Sequence, residues 1–103
     1  MLSQILPFFR LDTHRPEAKG MMLEARIMIG PDGMMSGALN PLNPWDPAAV
    51  IEGYPALVRL GHSYRRDSLE AFLLAIRLSQ PLRVPPGGKF PKWMILRFKF
   101  DDL

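Results

Sequence analysis

The chain contains no cysteine. That absence excludes disulfides, thiolate metal sites and thiol nucleophiles, and it leaves the redox compartment open. No apolar run approaches the ~18 residues of a membrane-spanning helix. Residues 1–9 lack a basic start and are interrupted at Pro7, so they do not read as a signal peptide. Histidine is scarce, with only His14 and His62, in HRP and GHS contexts. Neither has an H-x-x-x-H or H-E-x-x-H partner, so no metal centre is expected.

What remains is a chain of 103 residues, the size of one domain, 1–103. A domain of this length buries roughly 65% of its unfolded surface, enough for one modest core. Hydrophobic residues at 48% and charged residues at 22% suit a globular domain and disfavour disorder or a coiled coil. Eleven prolines and eight glycines predict short, well-punctuated elements.

Charge is unevenly placed. Residues 1–58 hold four basic side chains against six acids, whereas residues 59–100 hold nine against Asp67 and Glu70, a net of +7. Asp101 and Asp102 then close the chain. A basic second half suits an acidic partner, whether protein, nucleic acid or membrane surface, or simply a solvated rim, because the charges are spread out.

Residues 1–20 read as a short N-terminal helix or apolar arm followed by a polar loop. Residues 21–29 alternate, with Met21, Leu23, Ala25, Ile27 and Ile29 on one face and Met22, Glu24, Arg26 and Met28 on the other. Gly30-Pro31-Asp32-Gly33 is a turn, and Met34 to Asn40 is predicted to return antiparallel, giving a β-hairpin over 21–40. Residues 41–66 form an irregular and partly helical connection, with Asp46-Pro47 predicted to start a short helix over 48–53. The main helix is predicted over 67–80, from a capping box of Asp67 with Glu70 to a stop at Pro81. Its core stripe is Leu69, Phe72, Leu73 and Ile76.

After a Pro/Gly-rich loop, a last strand runs within 92–101. Met94, Leu96, Phe98 and Phe100 form its core face, while Trp93, Ile95, Arg97 and Lys99 form the other. The expected class is therefore α+β: a small three-stranded antiparallel sheet in the order second–first–last, with helices on one face.

Catalytic constellations are hard to assemble. Gly61-His62-Ser63 is not a nucleophile elbow, and Ser36 sits in a predicted strand. Pro85-Pro86-Gly87-Gly88-Lys89 has the glycines and lysine of a phosphate loop without a flanking strand and helix. Asp46, Glu52, Asp67 and Glu70 all have structural roles at helix starts or surfaces. No catalytic residue, cofactor or metal is expected. The feature best suited to binding is the last strand, Trp93, Met94, Ile95, Leu96, Arg97, Phe98 and Lys99, an edge whose free N–H and C=O groups could accept another strand. Arg97 and Lys99 could equally guard that edge against aggregation.

The stretch LEARIMIGPDG (23–33) resembles the first strand and hairpin turn of the TonB/TolA C-terminal domain family. SLEAFLLAIRLSQPLRVPPGGKFPKWMILRFKF (68–100) resembles its helix, loop and last strand, with P-L-x-x-P-P, K-F-x-x-W and terminal F-D elements most like TolA-type domains of alphaproteobacteria. The likeness spans about 21–40 and 67–102. The connection over 41–66 is longer than usual, and the cysteine pair of some TolA domains is missing.

This resemblance implies a periplasmic adaptor and not an enzyme: the C-terminal domain of an inner-membrane-anchored protein in a proton-driven envelope system. It implies that Trp93 to Lys99 grips an extended segment of a periplasmic or outer-membrane-associated protein, TolB-like or receptor-like, without membrane contact by the domain itself. The anchor and spacer of full-length members are not in this sequence, so the resemblance implies an excised domain or a stand-alone relative. Two alternatives stay open: a small basic nucleic-acid-binding domain, which is disfavoured, and a homodimer that swaps its last strand about the 82–91 loop.

Overall fold

Alternation of apolar and polar residues produces the two strands of the sheet. The computed structural model describes residues 2–51, 53–61, 63–84 and 87–102, and of Ser63 only the backbone. His62 and the Pro85-Pro86 start of the glycine-lysine loop thus lie outside the described residues, as does Glu52. Strand β1 (Met22–Ile29) pairs antiparallel with β2 (Lys92–Lys99), in a register that sets Met22 opposite Lys99 and Ile29 opposite Lys92. Leu23, Ala25, Ile27 and Ile29 are buried, as are Leu96, Phe98 and Phe100, which makes one sheet face the core face predicted from the sequence.

The turn between β1 and the next segment also forms as expected. The Gly33 N–H donates to the Gly30 carbonyl at 3.0 Å, and the Met34 N–H donates to Asp32 Oδ1 at 3.0 Å. The expected returning strand does not follow. Among the described residues the sheet has two strands, and Met34–Asn40 contributes one isolated bridge, Met35 to Ile29.

The reason lies in side chains that take over the backbone. Gln80 Oε1 accepts the Met35 N–H at 2.9 Å, and Asn40 Nδ2 donates to the Met35 carbonyl at 2.7 Å. Gly37, at φ +71°, then turns the chain into a 3-10 turn over Gly37–Leu39. The Arg77 guanidinium donates to the carbonyls of Ala38, Pro41 and Asn43. These side-chain bonds, local from Asn40 and long-range from Gln80 and Arg77, take up backbone groups that a ladder would need. Arg77→Ala is accordingly expected to cost about 1–2 kcal/mol, as hydrogen bonds from a charged donor are lost; urea denaturation would measure it.

A helical arm and two further helices make up the layer on the core face. In the arm, α1 (Leu2–Ile5) and a 3-10 turn over Leu6–Phe8 bury Ile5 completely. Gln4 fastens it by accepting the Arg83 N–H at 2.7 Å. The helix expected over 48–53 is instead a 3-10 turn, Pro47–Ala49, followed by α2 (Tyr54–Arg59) with Pro55 in its first turn.

The main helix, α3 (Ser63–Leu78), starts a full turn before the predicted cap. Asp67 therefore sits inside the helix and pairs with Arg66 at 3.5 Å, while Glu70 accepts the Tyr54 hydroxyl at 2.6 Å. The early start follows from the buried stripe, which runs Tyr64, Ser68, Phe72 and Ile76 at helical spacing. Ser68 hides in that stripe because its hydroxyl donates to the Tyr64 carbonyl at 2.7 Å and so needs no water.

Aromatic rings tie these parts together. Phe98 of β2 meets Phe72 of α3 edge-on at 4.9 Å, and Phe9 of the arm meets Phe98 at 5.5 Å and Phe100 at 5.9 Å. Such edge-to-face pairs contribute about 0.5–1.5 kcal/mol beyond their burial.

Candidate interaction surface on the sheet

Among the described residues helices lie on one face only, so the sheet presents its other face, the edge of β2 and the part of the β1 edge before the Met35 bridge to the surroundings. The Phe100 N–H donates to the Met21 carbonyl at 2.9 Å, which fixes the phase of the ladder. Antiparallel pairs alternate between bonded and non-bonded, so Leu23–Phe98, Ala25–Leu96 and Ile27–Met94 exchange main-chain bonds. Trp93, Ile95, Arg97 and Lys99 consequently turn their N–H and C=O groups outward, along the free edge of β2. Their side chains lie on the open face, because strand residues two apart share both a face and an edge.

This face is unusually apolar for an exposed one. Trp93 is 63% exposed and Ile95 51%. Trp93 stands opposite Met28, and Ile95 opposite Arg26. Arg26, Trp93, Met94 and Ile95 together line a shallow hollow of about 510 Å³. Arg97 reaches across the pair to Glu24, with N–O distances of 3.0 and 2.9 Å. Both partners are about half exposed, so the ion pair contributes at most about 1 kcal/mol and can be exchanged for a partner's carboxylate.

Met94, Leu96 and Phe98 have a different position from the other predicted edge residues. All three bond to β1; Leu96 and Phe98 are buried in the core, while Met94 packs partly against it and also lines the hollow. The sequence assigned all seven residues of Trp93–Lys99 together; the structure places four of them on the accessible side.

The remaining candidates are dispersed. His14 is exposed, with its main-chain N–H held by Asp12 Oδ1 at 3.0 Å. Ser36 is exposed before the Gly37 turn. Among the described residues no three His, Asp or Glu side chains converge to hold a metal ion. The hydrogen bond to Glu70 holds the Tyr54 hydroxyl above the usual phenol pKa. Burial does the same for Tyr64, whose hydroxyl donates to the Asp12 carbonyl at 2.7 Å.

The basic second half is likewise divided. Arg77 caps the 38–43 backbone and lies 5.9 Å from the Trp45 ring, Arg66 pairs with Asp67, and Lys92 lies 5.0 Å from the Phe90 ring. Compared with family models, curated proteins and solved structures, the chain matches none of them. The geometry of the sheet therefore carries the functional reading.

Sequence reasoning missed the free edge of β1. The run Met34–Asn40 was expected to cover it, and the signals against that were in the run itself: Gly37, and Asn40 before Pro41.

Proposed function

We propose that this chain is a protein-interaction domain that takes up an extended partner segment along the free edge of β2. The observation that carries the reading is the coincidence, at Trp93, Ile95, Arg97 and Lys99, of outward main-chain groups with exposed side chains, apolar at the first two positions and basic at the last two. An incoming strand would gain main-chain bonds with little sequence demand, while its alternate side chains would meet Trp93 and Ile95 on the open face. Arg97 and Lys99 would draw an acidic segment, and a carboxylate there would compete with Glu24 for Arg97.

The resemblance of 23–33 and 68–100 to TonB/TolA C-terminal domains supports a place in a Tol/Ton-type envelope energy-transducing system. In that reading the domain lies in the periplasm at the end of an inner-membrane-anchored protein. Its partner is then a periplasmic or outer-membrane-associated protein, and the partner's strand brings the sheet to three.

Photo-crosslinking in cells tests this. A photoreactive residue in place of Ile95 is expected to form an adduct with one envelope protein, and the same group at Ser36 to form none. Adducts of Ile95 with nucleic acid would favour the basic-domain reading, and absence of any adduct would remove the strand-acceptor reading.

A further inference from the structure

The free edge of β1 has a groove beneath it that the chain does not fill. By the phase of the ladder, Met22, Glu24 and Arg26 turn their N–H and C=O groups away from β2. At the far end of this edge the Gly30 N–H donates to the Met34 carbonyl at 2.9 Å, which closes it beyond Met28. Five residues, Met22 to Arg26, stay open over roughly 13 Å at the usual strand rise. Below them lies a half-open groove of about 500 Å³ between β1, α3 and the 39–51 segment. Leu39, Val50, Ile51, Phe72 and Leu73 are among the apolar residues that line it, together with Arg26 and Arg65, which are positive, and Glu24, which is negative.

The chain's own candidate for this place is held elsewhere. Met35 is fastened by Gln80 and Asn40, and Arg77 holds the carbonyls of Ala38, Pro41 and Asn43. Among the described residues, neither Arg26 nor Arg65 has an ion-pair partner, whereas Glu24 is engaged by Arg97.

We propose that the β1 edge and this groove form a second strand-acceptor site, for an extended protein segment with apolar residues at alternate positions and a carboxylate between them. Pairing with β1 would send alternate side chains down into the groove, where Leu39, Val50, Ile51 and Leu73 offer apolar contact between charged residues. The intervening side chains would emerge on the open face beside Arg26, where the local charge selects an acid. The site is distinct from the β2 edge, which lies across the sheet.

A synthetic capped heptapeptide of alternating threonine and valine, with one threonine replaced by aspartate, serves as the probe on the full chain. A lysine counterpart and a version N-methylated at the residues that would pair with β1 complete the set. Bound aspartate peptide is expected to slow amide exchange of Glu24 and Arg26 at least tenfold, while Ile95 and Arg97 keep their free rates. Arg26→Glu, checked by thermal melting to be folded, should reverse the preference between aspartate and lysine peptides. The N-methylated peptide should bind at least tenfold more weakly.

Protection confined to Trp93–Lys99, no protection at millimolar peptide, or equal binding of the N-methylated peptide would overturn the proposal. Protection of Glu24 and Arg26 that rises with protein concentration and needs no peptide would assign the edge to a second copy of this chain, and would also overturn it.

Discussion

Arg97→Pro and Ile95→Pro are expected to leave the domain folded and to weaken partner binding about thirtyfold or more, whereas Leu96→Pro is expected to unfold it. The three positions are adjacent, so propensity alone would rank them together. The ladder phase separates them. Ile95 and Arg97 point their N–H groups at the free edge, where proline removes a donor that β1 does not use. A bound strand would lose that donor, and the ring would obstruct its neighbours; two main-chain bonds at about 1 kcal/mol each already correspond to about thirtyfold.

Leu96 instead bonds to Ala25 and is buried in the core. Proline there removes a ladder bond and a buried leucine side chain, together about 5 kcal/mol or more. That is comparable to the whole stability of a domain this size, about 5–15 kcal/mol. Circular dichroism melting separates folded from unfolded variants, and titration with the partner captured at Ile95 measures the binding loss. Because Arg97→Pro also removes the ion pair to Glu24, Ile95→Pro is the cleaner of the two edge variants. Full partner binding by a folded Ile95→Pro protein would exclude strand addition at β2.

The two strands that form are the two whose period-two pattern is unbroken, and this is why their faces were legible in the sequence. Every second residue from Leu23 to Ile29 and from Leu96 to Phe100 is apolar and buried, and a one-residue slip would expose all of them. The main helix was legible for the same reason from Leu69 onward. Its first turn was not, because Ser68 interrupts the apolar stripe and Asp67 imitates a cap. A serine that returns its hydroxyl to the carbonyl four residues back is compatible with burial, but nothing in its identity announces that.

The third strand failed for a reason that is only half local. Gly37 and Asn40 are turn formers inside the run, and a weight on them would have shortened it. Gln80 and Arg77, which complete the diversion, lie about forty residues away in sequence. That separation also explains the candidate site. Which residues line an edge strand could be read from alternation, but whether β1 has one free edge or none depends on long-range side-chain bonds to the 35–43 backbone. The basic character of residues 59–100 was visible as a sum, yet Arg77, Arg66 and Arg97 are each taken up by particular partners.

The contact between the β1 turn and the loop after α3 gives a second large expected loss of stability. Gly33 has φ +79°, and a Cβ built on it would fall 2.0 Å from the Leu82 carbonyl oxygen and 2.9 Å from its nitrogen. The Leu82 N–H donates to the Gly33 carbonyl at 2.9 Å, and Leu82 is itself buried. Gly33→Ala therefore combines left-handed backbone strain of about 1–2 kcal/mol with a clash against backbone that no rotamer can relieve. Relief requires the 81–83 segment to withdraw, which breaks the Gly33–Leu82 bond and exposes the Leu82 side chain. The total is expected to reach about 4 kcal/mol, a fall in melting temperature of roughly 15–30 °C for a domain of this size. Gly37→Ala is the matched control. Its φ of +71° imposes the same kind of strain, but no atom lies within 4 Å of the added carbon. It should cost only about 1–2 kcal/mol. Urea denaturation of the two variants against the parent measures the difference, and equal losses would show that Leu82 does not approach the turn as closely as the structure places it.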